Sequence, residues 1–451
     1  MATPLEGIKV VEMTSVVLGP YACQMLGDLG ADIIKIEPLG GDTNRNLGPH
    51  SVHEDMCSLY LTCNRNKRSI ALDMKDPEGL AAAKKLVAEA DVLVHNFRPQ
   101  AIEKLGLGYG EVQKINPDIV YCGAYGFSLQ GPYGEKGALD DSIQAASGIA
   151  ILQSQVEGEP RYLPTIIGDK TTAMMVVQSV LAALYHRERT GEGQQIEVPM
   201  FETMAAFVMT EHQWGKTFEP PIGTAGYPRL MSEHRRPYKT KDGYLAVLPY
   251  WDNHWQTFVE LGGRPELASD PRFINMKTRL QNIGESYKVT GEIIGTKTTQ
   301  EWLDLLGNTR VPMMVVNSPD DLMTDPHLVQ SGFWQEMEHP TEGTLKMARP
   351  PATFSRSPSS IRRLAPRLGE QSAEILAEVI AENQAASEDI ADSYEVLHRA
   401  RFRKRLRVCS VMRRLSFAPK FAKMAIQVLS LSERASEFLA RSTRKTKLKK
   451  A

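Results

Sequence analysis

Cysteine is scarce. There are five in 451 residues (Cys23, Cys57, Cys63, Cys122 and Cys409), an odd number with no CxxC pair, which excludes a disulfide framework and a cysteine zinc site. Long apolar runs are missing too: no stretch of about 18 or more apolar residues occurs. The opening residues, Met1-Ala-Thr-Pro-Leu-Glu6, lack the basic and then apolar segments of a secretory leader. Neither secretion nor membrane spanning is expected, and a reducing cytoplasm is. The GxGxxG fingerprint is also missing, so NAD and FAD are not expected. No metal site and no permanently bound cofactor follow from the remaining residues.

What is there suits a globular protein of about two domains, with 42% hydrophobic and 24% charged residues. The net charge of −1 hides an asymmetry, because residues 391–451 hold 17 Lys or Arg against 4 Asp or Glu. The body is acidic and the end basic. Within residues 396–429 apolar side chains recur at helical spacing among the cations, interrupted at Pro419. Such a segment binds an anionic membrane surface, nucleic acid or an acidic partner, or is a solvated extension. Arg413-Arg-Leu-Ser416 has the look of a basophilic kinase site, a pattern too short to be specific.

Strand and helix patterns alternate through the first half. Gly7–Glu12 predicts a strand, Gly19-Pro20 a turn, Tyr21–Leu29 a helix and Ala31–Glu37 a second strand, a β-α-β unit. Asp76-Pro77 opens a helix to about Glu89, and Asp91–Asn96 and Pro117–Cys122 predict further strands. The expected architecture is α/β with a parallel sheet. A strand Gln195–Pro199 and a helix Phe201–Gln213 follow, and the Pro and Gly cluster at 218–226 marks a boundary. Residues 1–220 are then a large domain and 227–325 a smaller α+β domain, opening on a hairpin turned by Asp242-Gly243. Residues 326–388 are expected to return to the large domain, and 389–451 to form the basic extension.

Asp169 is the one acid in the otherwise uncharged stretch Tyr162–Asp169, at the mouth of an apolar helix expected over Thr171–Tyr185. Gly168 lets the backbone approach a ligand there. Asp169 either caps that helix, as Asp commonly does, or carries chemistry.

The segment PTIIGDKTTAMMVVQSVLAAL resembles the signature of the class III CoA-transferases, the family of formyl-CoA and carnitine CoA-transferases. The likeness extends through PLEGIKVVEMTSVVLGPYACQMLGDLGADIIKIEP, NRNKRSIALDMK, ADVLVHNFRPQAIEKLGLGY, GFSLQGPYGEKGALDDSIQAASG, RRPYKTKDGY and APRLGEQSAEIL, over roughly residues 4–380. It implies a Rossmann-like large domain built from both chain ends, a small central domain, and two subunits interlocked as a homodimer. It also implies that Asp169 is a nucleophile moving CoA from an acyl-CoA thioester to a free carboxylic acid, through an anhydride and an aspartyl-CoA thioester. Covalent catalysis of this kind splits one hard exchange into easier steps.

The resemblance places CoA at Val17, Leu18, Leu72, Lys75, Asn96, Phe97, Arg98, Lys104 and the segment Gly137, Ala138, Leu139, Asp140. Lys75 and Arg98 are able to meet phosphate charge, although Lys75 and Lys104 read equally as solvated charges and Phe97 as core. Pro38 stands where some relatives have Arg, a contact that Arg45 could replace. Asp140 is implied as an active-site acid steering Asp169; alternatively Asp140 or Asp141 caps a helix over Ile143–Ile149, and Gln144 is structural. For the acid's carboxylate the best cations are His234, Arg235 and Arg236, with Tyr238. After the strand Tyr244–Pro249 some transferases carry a run of glycines; here the chain reads Tyr-Trp-Asp-Asn-His254, which argues against formyl and oxalyl transfer and for a larger acid such as succinate or a relative. Related α-methylacyl-CoA racemases place a His immediately before the Asp. Here that place is Asp140, which removes half of a two-base mechanism. A catalytically inactive scaffold recruited through the basic end is the remaining alternative.

Overall fold

The structure, a computed structural model, describes residues 2–382. The expectations for residues 389–451, including the basic amphipathic stretch and Cys409, lie outside the described residues. Met1–Ser372 form one compact unit.

Its largest sheet has six strands, β1 (Lys9–Met13), β2 (Asp32–Glu37), β3 (Lys67–Ala71), β4 (Val92–His95), β5 (Val120–Tyr125) and β6 (Gln194–Pro199). They pair in parallel in the order β3-β2-β1-β4-β5-β6. This is the doubly wound order, and its direction reverses between β1 and β4, where loops at the carboxyl ends diverge and open a crevice. β1 to β5 are almost wholly buried, as parallel strands covered on both faces must be, and the edge strand β6 is only partly so. Helices α1 (Leu18–Asp28), α2 (Ser58–Cys63), α3 (Pro77–Ala88), α4 (Pro99–Lys104), α5 (Tyr109–Ile115), α6 (Asp140–Ala146), α7 (Ile149–Glu157), α8 (Ile167–Thr190) and α9 (Met200–His212) connect and cover it. Val10, Val94 and Cys122 of the sheet pack with Leu26 of α1, Val176 and Val180 of α8 and Met204 of α9 in one apolar cluster.

The β-α-β reading is right in kind, with strand ends displaced by one or two residues and a larger difference at the start of the helix. Gly19-Pro20 is not a turn before α1 but part of its first turn, where the missing proline N–H would have had no helical partner anyway. Asp76 caps α3 as its pattern suggests, accepting from the Glu78 N–H.

Tyr238–Val315 carries a separate sheet, β7 (Tyr238–Lys239), β8 (Tyr244–Val247) and β9 (Met313–Val315), antiparallel throughout. Trp255, Phe258, Phe273, Ile293 and Trp302 form a second apolar cluster there. The hairpin turn is held by Asp242, whose Oδ1 accepts from the N–H of Thr299, 2.7 Å away. Further on, the chain returns to the edge of the large sheet. The Gln371 N–H donates to the Ser69 carbonyl at 3.1 Å, its Oε1 accepts from the Ser69 N–H at 2.9 Å, and Asn66 Oδ1 accepts from the N–H groups of Arg362 and Arg363.

Candidate active site

Asp169 is the third residue of α8, inside its first turn, and the cap position is Ile166 with no side-chain capping bond. The capping alternative for Asp169 is therefore overturned: the helix begins two residues earlier than the Asp, and the carboxylate is left for other work. Its neighbour in space is Asp140, the first residue of α6. Asp140 is 7% exposed, whereas Asp141 faces solvent. Neither caps a helix over Ile143–Ile149. The helix starts at Asp140 and ends at Ala146, ahead of Gly148, whose φ of +86° breaks the run.

Asp140 Oδ1 accepts from the Asp169 N–H at 3.0 Å, and its Oδ2 accepts from Gln144 Nε2 at 2.6 Å. Gln144 in turn takes the Leu163 N–H on its Oε1 at 2.8 Å and donates to the Thr165 carbonyl at 3.2 Å. The structural role expected of Gln144 thus has a definite object, the segment leading into α8. Gly168 makes the approach possible, because a Cβ there would lie 3.0 Å from Asp140 Oδ1. A helix amino terminus ordinarily favours a carboxylate. Here burial works the other way, and with the adjacent Asp140 charge it pushes the Asp169 carboxyl up from 3.8 to about 7.

Several of the residues assigned to CoA meet where the strand order reverses. Asn96, after β4, accepts from the Ser15 N–H at 3.1 Å and donates to the Ser15 carbonyl at 3.0 Å, after β1. Its amide is thereby committed to joining the two loops. Val16 holds a φ of +69°, an outlier for a β-branched residue. It is fixed there by Asp42 Oδ1, which accepts its N–H at 3.1 Å, and by Asn44 Nδ2, which donates to its carbonyl at 2.5 Å. Val17 and Leu18 are buried, so only their backbone is left for a ligand; Leu72 is buried as well. Phe97 is half-buried rather than core, and Arg98, Lys75 and Lys104 are exposed. Arg98 passes so close to Gly137 that a Cβ there would lie 2.8 Å from its Nη2. Ala138 packs against the apolar cluster of the large sheet, while Leu139 is 73% exposed.

Asp42 belongs to a buried ionic group that sequence reading did not find. Glu12 of β1 lies opposite Lys35 of β2, at 2.9 Å, and meets Lys67 of β3 at 2.7 Å, and Lys35 also reaches Asp42 at 2.9 Å. Burial alone would raise the Glu12 carboxyl, but the two ammonium groups outweigh it and hold it below its ordinary value. Arg45 cannot replace a phosphate contact at Pro38. It is 1% exposed, bonded through Nε and Nη2 to Glu37 at 2.8 and 2.7 Å, and seated 3.8 Å from the centre of the Tyr60 ring. His95, at the end of β4, is fully buried between the Tyr121 and Tyr125 rings, and burial holds it down to about 3. It is neutral and takes no part in proton transfer at physiological pH.

Of the residues assigned to the acid, Arg235, Arg236 and Tyr238 line one cavity of about 360 Å³, together with Arg229 and Tyr287. His234 is half-buried beside Glu233, at 3.5 Å, and does not line it. Neither Asp169 nor Asp140 is in its wall. Asp42, Asn44 and Arg229 were missed because nothing in Gly41-Asp-Thr-Asn44 or Tyr227-Pro-Arg229 distinguishes them from ordinary turn or loop residues. Among the described residues no group of His, Cys, Asp or Glu is arranged to hold a metal ion, and no helix is long and apolar enough to cross a membrane.

Comparison with known proteins bears on the chain as a whole. A family model described as CoA-transferase family III matches residues 5–372. The succinyl-CoA:glutarate CoA-transferase of Mus musculus is 32% identical over 391 residues, 86% of this chain and 89% of that protein. The succinate–glutarate CoA-transferase of Agrobacterium fabrum is 33% identical over 392 residues, 83% and 96% of the two chains. Among solved structures, a CAIB/BAIF family protein from Brucella suis superposes with a TM-score of 0.72 at 31% identity, covering 84% of this chain and 100% of that one.

Proposed function

Since the chain belongs to CoA-transferase family III, we propose that it moves CoA between an acyl-CoA thioester and a free carboxylic acid by covalent chemistry at Asp169. One observation carries this reading: a half-buried carboxyl, in the first turn of α8 and beside a second acid, whose proton is held to about pH 7. A carboxylate so poorly solvated is a better nucleophile than one in water.

The exchange needs neither water nor an oxidant. An Asp169 oxygen attacks the thioester carbonyl carbon, the C–S bond breaks, and CoA leaves as the thiolate, forming a mixed anhydride. The thiolate attacks the Asp169 carbonyl carbon of that anhydride, the donor acid departs as its carboxylate, and an aspartyl-CoA thioester remains. The second acid's carboxylate attacks the carbonyl carbon of this thioester and displaces CoA thiolate, forming a second anhydride. The thiolate then attacks the acid's own carbonyl carbon, giving the new acyl-CoA and freeing the Asp169 carboxylate. In this reading Val17 and Leu18 offer backbone groups to CoA, Arg98 with Lys75 and Lys104 offers cations to its phosphates, and Asp140 and Gln144 hold the α8 entry in place. The names of the similar proteins support succinyl-CoA as a donor and a short dicarboxylic acid as an acceptor.

Incubating the full chain with a panel of acyl-CoA esters and quenching with hydroxylamine tests the covalent step. A hydroxamate at Asp169, read by intact mass and peptide mapping, is the expected product, and the most productive ester names the donor. Binding of esters without any label would sink the covalent reading and favour a racemase-like or inactive role.

We also propose that the chain works as a homodimer. On α8 and α9 the apolar side chains Met174, Tyr185 and Phe207 are each more than half exposed in the single chain, a face that a second copy would cover. Light scattering should then give twice the 50.2 kDa chain mass; a single-chain mass at micromolar concentration would count against it.

A further inference from the structure

The cavity around Arg229 holds charge of one sign. Its lining residues include Arg229, Arg235 and Arg236, and no Asp or Glu. No ion pair engages any of the three among the described residues. Arg235 and Arg236 are exposed and Arg229 is half-buried; a bound anion lowers the repulsion among like charges that solvent does not already screen. Arg229 is moreover held in a fixed pose. Its Nε donates to the Tyr287 hydroxyl at 2.8 Å, and its guanidinium carbon lies 5.3 Å from the centre of the Tyr250 ring. Its side chain also hydrogen-bonds Tyr227, and its planar guanidinium has the fork geometry that matches a carboxylate.

The rest of the wall is apolar and includes Val247, Leu248, Pro312 and Met313. An anion without hydrocarbon would waste that surface. The volume sits at the lower end of the roughly 300–1,000 Å³ of small-molecule sites, which suits a short acid and not an entire CoA ester.

We propose that this cavity is the binding site for a short aliphatic dicarboxylate, with Arg229 as the residue that reads its non-reacting carboxylate and Arg235 and Arg236 completing the charge match. The aliphatic stem lies on Val247 and Met313. The inference rests on the CoA-transfer reading only in taking this ligand to be the free acid of the exchange. Arg229 acts there as a specificity-determining residue, selecting dicarboxylic over monocarboxylic acids of equal length.

Calorimetric titration of the full-length Asp169→Ala chain with glutarate and with valerate separates binding from turnover. Glutarate should bind at least about tenfold more tightly than valerate, and adding Arg229→Met should erase that preference by weakening glutarate alone, the loss of one bidentate contact. Tyr287→Phe keeps the shape and removes one of the groups that hold Arg229, so it should weaken glutarate by a smaller factor; its circular dichroism and that of Arg229→Met serve as folding controls. In the otherwise native chain, Arg229→Met should raise the KM for glutarate at least about tenfold. Equal binding of the two acids, or an unchanged glutarate affinity in folded Arg229→Met, overturns the site. Lost binding with an unchanged KM overturns its assignment to the exchanged acid. Failure of the covalent reading shows separately, as absent hydroxamate with glutarate binding intact.

Discussion

Replacing Asp169 by Asn is expected to lower CoA transfer by at least about 10⁴-fold, because a nucleophile that forms the covalent intermediate has no substitute in the mechanism. Acyl-CoA affinity should change little, since Asp169 is not among the residues assigned to CoA. A loss below about tenfold would remove Asp169 from the chemistry. The same carboxyl sets a pH dependence. With its proton held to about pH 7, the free enzyme lacks the reactive carboxylate in acid, so kcat/KM should fall about tenfold per pH unit below 7 and level off above it. Stability runs the opposite way. The folded chain holds this proton more tightly than an unfolded chain, whose Asp loses it near 3.8; the stabilisation is complete below that value and is lost as the pH rises through 7. Asp169→Asn should therefore be more stable than the native chain near pH 8, by on the order of 1–3 kcal/mol, and not near pH 4. Denaturant midpoints at the two pH values decide this, and a constant difference would contradict the raised proton affinity.

The second large effect concerns folding rather than chemistry. Glu12→Gln removes the charge that faces Lys35 and Lys67, both fully buried. Lys35 retains Asp42, at 2.9 Å, but Lys67 keeps only neutral partners, the carbonyls of Pro20 and of the Asn64 side chain. Removing one member of a buried pair typically costs about 3–5 kcal/mol, enough to consume much of the stability of an ordinary domain. Glu12 is held ionised below its ordinary range, so the penalty should be fully present at neutral pH and shrink as acid protonates the native residue. The double replacement Glu12→Gln with Lys67→Met should recover part of the loss, because the stranded ammonium is gone. A midpoint for Glu12→Gln within about 0.5 kcal/mol of native would show that the network contributes nothing.

These two sites differ in how far the sequence discloses them. Asp169 stands out in one dimension: a single acid among uncharged residues, followed by helical apolar spacing. Its neighbour Asp140 is 29 residues away, and its inward turn depends on where α6 starts, which local pattern placed three residues too late. The Glu12 group is invisible to pattern reading. Glu12, Lys35 and Lys67 fall in three different strands, each of which holds another charged residue, and only the register that sets Glu12 opposite Lys35 makes a pair of them. Arg45 shows the same limit from the other side. As a lone cation in a polar loop it reads as a ligand contact, and the fold turns it inward onto Glu37 and Tyr60. The alternation of strand and helix was legible because period 2 and period 3.6 differ plainly over a few residues. Asp42 and Asn44, which hold Val16 at its positive φ, look in sequence like any turn after Gly-Gly.

The contact between Asp140 and the Asp169 backbone has a bearing on direction. With both acids ionised, the empty site contains two negative charges on neighbouring groups, one of which cannot move away because its own oxygen is fastened to the other's N–H. In the proposed mechanism an anhydride or thioester at position 169 would be neutral, so each acylation would discharge one of them. The free enzyme would then be the tense form and the loaded enzyme the relaxed one, a bias that would draw such a carrier toward picking up its cargo rather than resting without it.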